Sequence, residues 1–109
     1  MTWRLVVETQ AQAEILEAAA WYDRRRVSLR RDFLDEMAAL LAAIEYNPLQ
    51  YQIVRGAVRR VRVGRFPYAL LYSVAGDNVV VTVCIHTSRK GHSYALPTVP
   101  LSFLARFVG

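Results

Sequence analysis

The chain opens with a loosely alternating stretch, Trp3 to Glu8, in which Leu5, Val6 and Val7 suit a strand. Thr9, followed three positions later by Gln12, matches a capping box and predicts the start of a helix. Within that helix Ala11, Ile15, Ala18 and Tyr22 keep the spacing of one buried stripe. Trp21 falls on another stripe, with Glu14, Glu17 and Arg24, which predicts a flanking, partly exposed ring. Arg24, Arg25 and Arg26 close the helix, where cations complement its dipole. Ser28 is the expected N-cap of a second helix after a connection of about two residues, so the two helices form an antiparallel hairpin. Leu29, Phe33, Met37, Leu40, Leu41 and Ile44 make the second apolar stripe, with Arg31 and Asp35 as an outward pair. Asn47-Pro48 ends it, because the residue before proline is pushed out of the helical region.

Beyond Pro48 the periodicity becomes that of strands. Val58 to Arg65 alternates in a mixed way, Phe66 to Val74 is rich in aromatic and branched residues, and Val79 to His86 is nearly continuous valine. Gly76-Asp77-Asn78 is a hairpin turn between the last two. The valine strand is apolar on both faces and should be central. Pro67 predicts an edge or a bulge for the strand it interrupts. The expected architecture is α+β, in the order β-α-α-β-β-β: a helical hairpin packed on a small, largely antiparallel sheet. Residues 1–94 read as a single domain. Residues 95–109 read as an apolar tail too hydrophobic to stay in water, expected to dock on the domain or on a partner.

Composition narrows the class. A chain of 109 residues with 54% hydrophobic and 21% charged residues folds as one globular domain rather than remaining disordered. Its longest aliphatic run, Ala38 to Ile44, is far short of the ~20 residues that span a bilayer. The N-terminus lacks the apolar stretch of a signal peptide, and a single cysteine, Cys84, cannot form an internal disulfide. A cytoplasmic setting with no membrane partner is expected. The charge is unevenly placed. Up to Tyr46 eight acids face six arginines, a net −2, whereas after it Asp77 alone faces eight bases, a net +7, and together these give the overall +5. Such asymmetry suits a face that meets anions, either nucleic acid or an acidic protein.

Arg55, Arg59, Arg60, Arg62 and Arg65 lie within eleven residues, next to Phe66, Tyr68 and Tyr72. This mixture binds phosphates and stacks on bases, although a charged, aggregation-resistant edge strand has the same composition. By strand geometry Arg60 and Arg62 share one face, and Arg59 and Arg65 the other. His86, Arg89, Lys90, His92 and Tyr94 follow the valine strand, with groups suited to metal-free RNA cleavage: a base for the 2′-hydroxyl and cations for the phosphate. His86 shares its strand face with Thr82 and Cys84, so a hydrogen-bonded structural histidine is an equal reading. One cysteine and two histidines supply no metal-ligand set, and no glycine-rich phosphate loop or nucleophile elbow is present in the sequence; no metal or cofactor is expected.

Several of these features occur in one order: Ala20-Trp21-Tyr22, Phe33, Ile44 to Pro48, then Val58-Arg59-Arg60 leading to Arg65-Phe66-Pro67-Tyr68 and Leu71-Tyr72, and His86 followed by Arg89. In this the chain resembles, over residues 3–94, the RelE/ParE superfamily of toxins from bacterial type II toxin–antitoxin (plasmid stabilisation) systems. The resemblance implies a growth-inhibiting toxin neutralised by a cognate antitoxin that wraps around it, and contact with operator DNA only through that antitoxin. Two activities occur in the superfamily: ribosome-dependent mRNA cleavage on the RelE side and poisoning of DNA gyrase on the ParE side. For a nuclease the matching positions are Arg62, Arg65, His86, Arg89 and Tyr94. The lysines that such nucleases often use have no strand equivalent here, and arginine is a poor proton shuttle. Trp21-Tyr22 and the Phe-Pro-Tyr strand lean towards ParE, hence towards a gyrase inhibitor rather than an enzyme. Trp21, Arg59, Arg60, Arg62, Arg65, Arg89 and Lys90 are the candidates for contact with target or antitoxin. A non-toxic, arginine-rich RNA-binding or interaction module is the reading from outside the toxin class.

Overall fold

Alternation, helical stripes and turn residues produce, in a computed structural model that describes residues 2–87, two helices and a five-stranded sheet. Strand β1 (Arg4–Val7) leads into helices α1 (Thr9–Arg25) and α2 (Val27–Tyr46) and a 3-10 turn (Pro48–Gln50). Strands β2 (Ile53–Arg55), β3 (Val58–Arg62), β4 (Tyr68–Ala75) and β5 (Asn78–His86) follow. The sheet order is β1-β5-β4-β3-β2. β1 runs parallel to β5, with Arg4 opposite Asn78 and Val7 opposite Val81, and every other pairing is antiparallel. The valine strand β5 is an inner strand, as its two apolar faces require, although β4 and not β5 is the central one.

Both helices lie on one face of the sheet. Ala11, Ile15, Ala18 and Tyr22 of α1 and Phe33, Met37 and Ile44 of α2 meet Leu70, Tyr72, Val79, Val81 and Cys84 in one core. At its end Tyr22, Phe33, Phe66 and Tyr68 pack edge-to-face or tilted, with centroids 5.0–6.2 Å apart. Such contacts add specificity to the burial. Tyr72 Oη donates to the Pro48 carbonyl at 2.5 Å, which ties the segment after α2 to the middle of the sheet. Burial raises the Tyr72 phenol to about 12, with nearby Arg59 opposing and Tyr51 adding to the shift.

Several boundaries differ from expectation. Thr9 is the first helical residue, not the cap: Glu8 holds the cap position without a side-chain bond, and Gln12 Nε2 donates back to the Val7 carbonyl at 2.8 Å. Ser28 lies inside α2. Arg26 alone separates the helices; in extended conformation it donates to Tyr22 O and accepts from Leu29 N, both at 2.9 Å, so one residue closes α1 and opens α2. The described ion pair of α2 goes to Arg65 through Asp32 at 3.0 Å rather than linking Arg31 with Asp35. β3 stops at Arg62, because Gly64 adopts φ +49° and turns the chain, which removes Arg65 from the strand. Pro67 does not mark an edge. It precedes β4, an inner strand, where its missing N–H is not needed and its carbonyl accepts from Thr87 N at 2.9 Å. The short edge strand β2, paired to β3 across the turn at Gly56 (φ +54°), is an element the periodicity did not reveal.

One irregularity decides which face the end of β5 presents. Pairing with β4 runs from Leu71 opposite Val83 to Tyr72 opposite Val81, so Thr82 is an extra residue. Its Oγ1 donates to the Leu71 carbonyl at 3.2 Å. A bulge reverses the alternation beyond it. Cys84 therefore joins Val79 and Val81 on the helix side, although strict alternation would place them on opposite faces.

Candidate functional site

The bulge and the helical stripe create a cleft together. β1 ends at Val7, opposite Val81, so the last residues of β5 have no strand beside them on that edge. The second half of α1 lies there instead. A cleft of about 250 Å³ opens between Glu14, Glu17, Trp21 and Arg24 of α1 and Tyr68, Cys84 and His86 of the sheet. The stripe that amphipathicity set apart from the core is thus the wall of this cleft.

Each wall is fixed by a specific contact. Glu14 Oε1 accepts from the Cys84 backbone N–H at 2.9 Å, taking the place of the absent strand. Burial pushes the Cys84 thiol up to about 12, and the Glu14 carboxylate adds to the shift, so the thiol stays protonated and unreactive in the neutral range. Trp21, 42% exposed, stands edge-on to Tyr22 at 5.1 Å, and the Arg25 guanidinium lies 4.1 Å from its ring centre. This cation–π contact holds a large ring at the rim without burying it. His86 meets Tyr68 edge-on at 5.0 Å. The cleft is acidic on its helix wall, aromatic at its rim and has two polar rings at its floor.

The arginines predicted as a set are dispersed. Arg59 lies on the helix side, where Nη1 donates to the carbonyls of Leu49 at 3.1 Å and Tyr51 at 2.6 Å, clamping the segment before β2. Arg65 sits in the turn after β3, paired with Asp32 and 5.3 Å from the Phe66 ring centre. Arg60 and Arg62 share the opposite sheet face, as period-two geometry requires, and are exposed. Arg89, Lys90, His92, Tyr94 and the tail 95–109 lie outside the described residues. Among the described residues, then, Trp21 and His86 meet at the cleft and the β3 arginines do not. Glu14 is a cleft residue that the sequence did not single out as functional, and Tyr68, expected beside the arginine set, lines the cleft instead. The Glu14-Glu17-Trp21-Arg24 stripe carried that signal. No group of three or more potential metal ligands occurs among the described residues, and no described helix is long and apolar enough to cross a membrane.

Comparison with known proteins agrees with this architecture. Residues 5–91 match the family model for the ParE toxin of the type II toxin–antitoxin system parDE, and the chain belongs to that family. A solved structure described as the chromosomal ParDE TA system from P. aeruginosa superimposes with a TM-score of 0.69, at 12% identity, over 78% of this chain and 96% of that one. No curated protein matches the chain. The family is that of toxins held by an antitoxin, so an antitoxin is the partner it implies.

Proposed function

We propose that this toxin acts by binding and poisoning DNA gyrase in the cytoplasm, without nuclease chemistry of its own. The observation that supports this reading is the separation of the arginines of β3 and its following turn from His86. A metal-free ribonuclease needs phosphate-binding cations beside a general base. Here Arg59 is engaged with backbone carbonyls, Arg65 with a carboxylate, and Arg60 and Arg62 lie across the sheet from His86. The wall facing His86 carries Glu14 and Glu17 beside Arg24, a lining with more acid than base that does not favour a phosphate backbone. A protein target contacted by Trp21 and the exposed arginines suits this surface, since aromatic and arginine side chains dominate binding energy at interfaces.

The test is direct. Purified toxin is expected to inhibit gyrase supercoiling, to be relieved by antitoxin, and to leave mRNA on programmed ribosomes intact. Ribosome-dependent cleavage abolished by His86→Ala, with supercoiling untouched, would establish the nuclease reading instead. The closeness of His86 to Tyr68 is the feature that favours that alternative.

A further inference from the structure

Arginines also gather at the tip of the helical hairpin, in the part of the chain whose net charge is negative. Arg24 and Arg25 end α1, Arg26 joins the helices, and Arg30 and Arg31 lie within about 6 Å of the start of α2 along its axis. All five are exposed, and a single acid, Asp23, stands beside them. No described carboxylate pairs with any of the five, and Arg25 is engaged with the Trp21 ring. The sequence beyond Thr87 holds no aspartate or glutamate that could neutralise them. Helix stability accounts for only part of this cluster. Cations at the end of α1 complement its dipole, whereas those at the start of α2 oppose it. That start has neither an acid in its first turn nor a side-chain cap. Arg26, Arg30 and Arg31 are therefore placed against the preference of the helix beside them.

We propose that this tip binds the phosphate backbone of double-stranded DNA directly, without reading its sequence. A protein partner is anchored through an apolar centre, and Val27 is the one large hydrophobic residue exposed between Asp23 and Arg31. A phosphate backbone needs only cations, and the forked guanidinium suits its oxygens. Packed helices stand about 8–10 Å apart, so arginines of α1 and α2 can reach phosphates on both sides of a B-form major groove, about 12 Å wide. That spacing suits DNA better than the narrow major groove of A-form RNA. Arg24 also lines the cleft, which puts DNA held at the tip next to the cleft and not in it. The contact belongs to the toxin itself, unlike an operator contact made through an antitoxin. It does not rest on the gyrase reading, and the toxin alone tests it.

The experiment is fluorescence anisotropy of the full-length toxin with a labelled duplex of about 20 base pairs and arbitrary sequence, between about 50 and 200 mM salt. Log affinity should fall against log salt with a slope of about −4, as for four or five phosphate contacts. Arg30→Gln combined with Arg31→Gln should flatten the slope by about 2 and weaken binding at least ~10-fold at low salt. Arg4→Gln combined with Arg55→Gln removes equal charge at the far end of the sheet, where Arg4 lies opposite Asn78 and Arg55 opposite Val58, and should change affinity less than about threefold. Melting temperature should hold or rise in the Arg30, Arg31 variant, because two cations leave a helix N-terminus. Should that variant fail to fold, the wild-type salt slope and the competitors still decide. Absence of DNA binding at low salt, equal losses in the two double variants, or tighter binding of an RNA duplex or of polyglutamate would each overturn the proposal.

Discussion

The cleft along α1 and the arginine strand β3 illustrate two ways of placing charge. β3 and its neighbours hold the concentration of positive charge that dominates the sequence, yet the fold disperses it over both sheet faces and a turn. The cleft holds few charges, but a bulge, a truncated strand and a helical stripe bring acid, aromatic and imidazole groups to one opening. Charge density along a chain reports solvation and long-range attraction. Convergence of side chains depends on register, and register decides which of those charges can act together.

The sharpest test of this contrast is the rim of the cleft. Trp21→Ala should weaken antitoxin binding by at least ~30-fold, the scale of an interface hot spot, as measured by isothermal titration. Arg60→Ala should change affinity several-fold at most and mainly at low salt, as expected of an exposed charge. A reversed order would make β3 the principal contact.

Stability should divide the arginines differently. Arg59→Ala removes both bonds to the Leu49 and Tyr51 carbonyls and should cost about 2 kcal/mol in denaturant unfolding. Arg60→Ala, exposed, should stay within about 0.5 kcal/mol. Equal effects would mean that the clamp on the segment before β2 adds nothing.

The third test is alkaline. Cys84 and Tyr72 are raised in the folded state to about 12, from ordinary values of 9.0 and 10.0. Both are neutral when buried, so their contribution is complete below the unfolded values and is lost as pH rises from about 9 towards 12. Melting temperature should fall across that window, less steeply in Cys84→Ala, and Cys84 should resist alkylation at neutral pH until the protein unfolds.

The smallest effect concerns the second sheet face, where Ser73 Oγ is buried without a hydrogen-bond partner. Ser73→Ala relieves an unpaired hydroxyl and should be neutral or stabilising by up to about 1 kcal/mol in thermal unfolding. A clear loss would show that the hydroxyl has a partner.

The sequence made the helices legible because their stripes are long: the Ala11 to Tyr22 and Phe33 to Ile44 patterns report directly which sides are buried. The valine strand was legible for the same reason, and Gly76 at φ +60° turns the hairpin between β4 and β5. What escaped was whatever one residue decides. Nothing in a run of valines shows that Thr82 will be skipped by the ladder and will bring Cys84 to the helix side. Pro67 read as a strand interruption because local pattern cannot tell a proline inside a strand from one just before it. Arg65 followed the strand's rhythm on paper, until Gly64 turned the chain towards Asp32.

The parallel pairing of β1 with β5 also sets a schedule for synthesis. Arg4 waits for Asn78 and Val7 for Val81, so the N-terminal strand finds its place only after most of the chain has been made. Non-local pairing of this kind is slow to form. At translation speeds of ~5–20 residues per second, the nascent toxin spends several seconds without β5. The cleft beside His86, built on that strand, forms only after β5 has been made. Any partner of that cleft therefore meets it only once β5 has been made and paired.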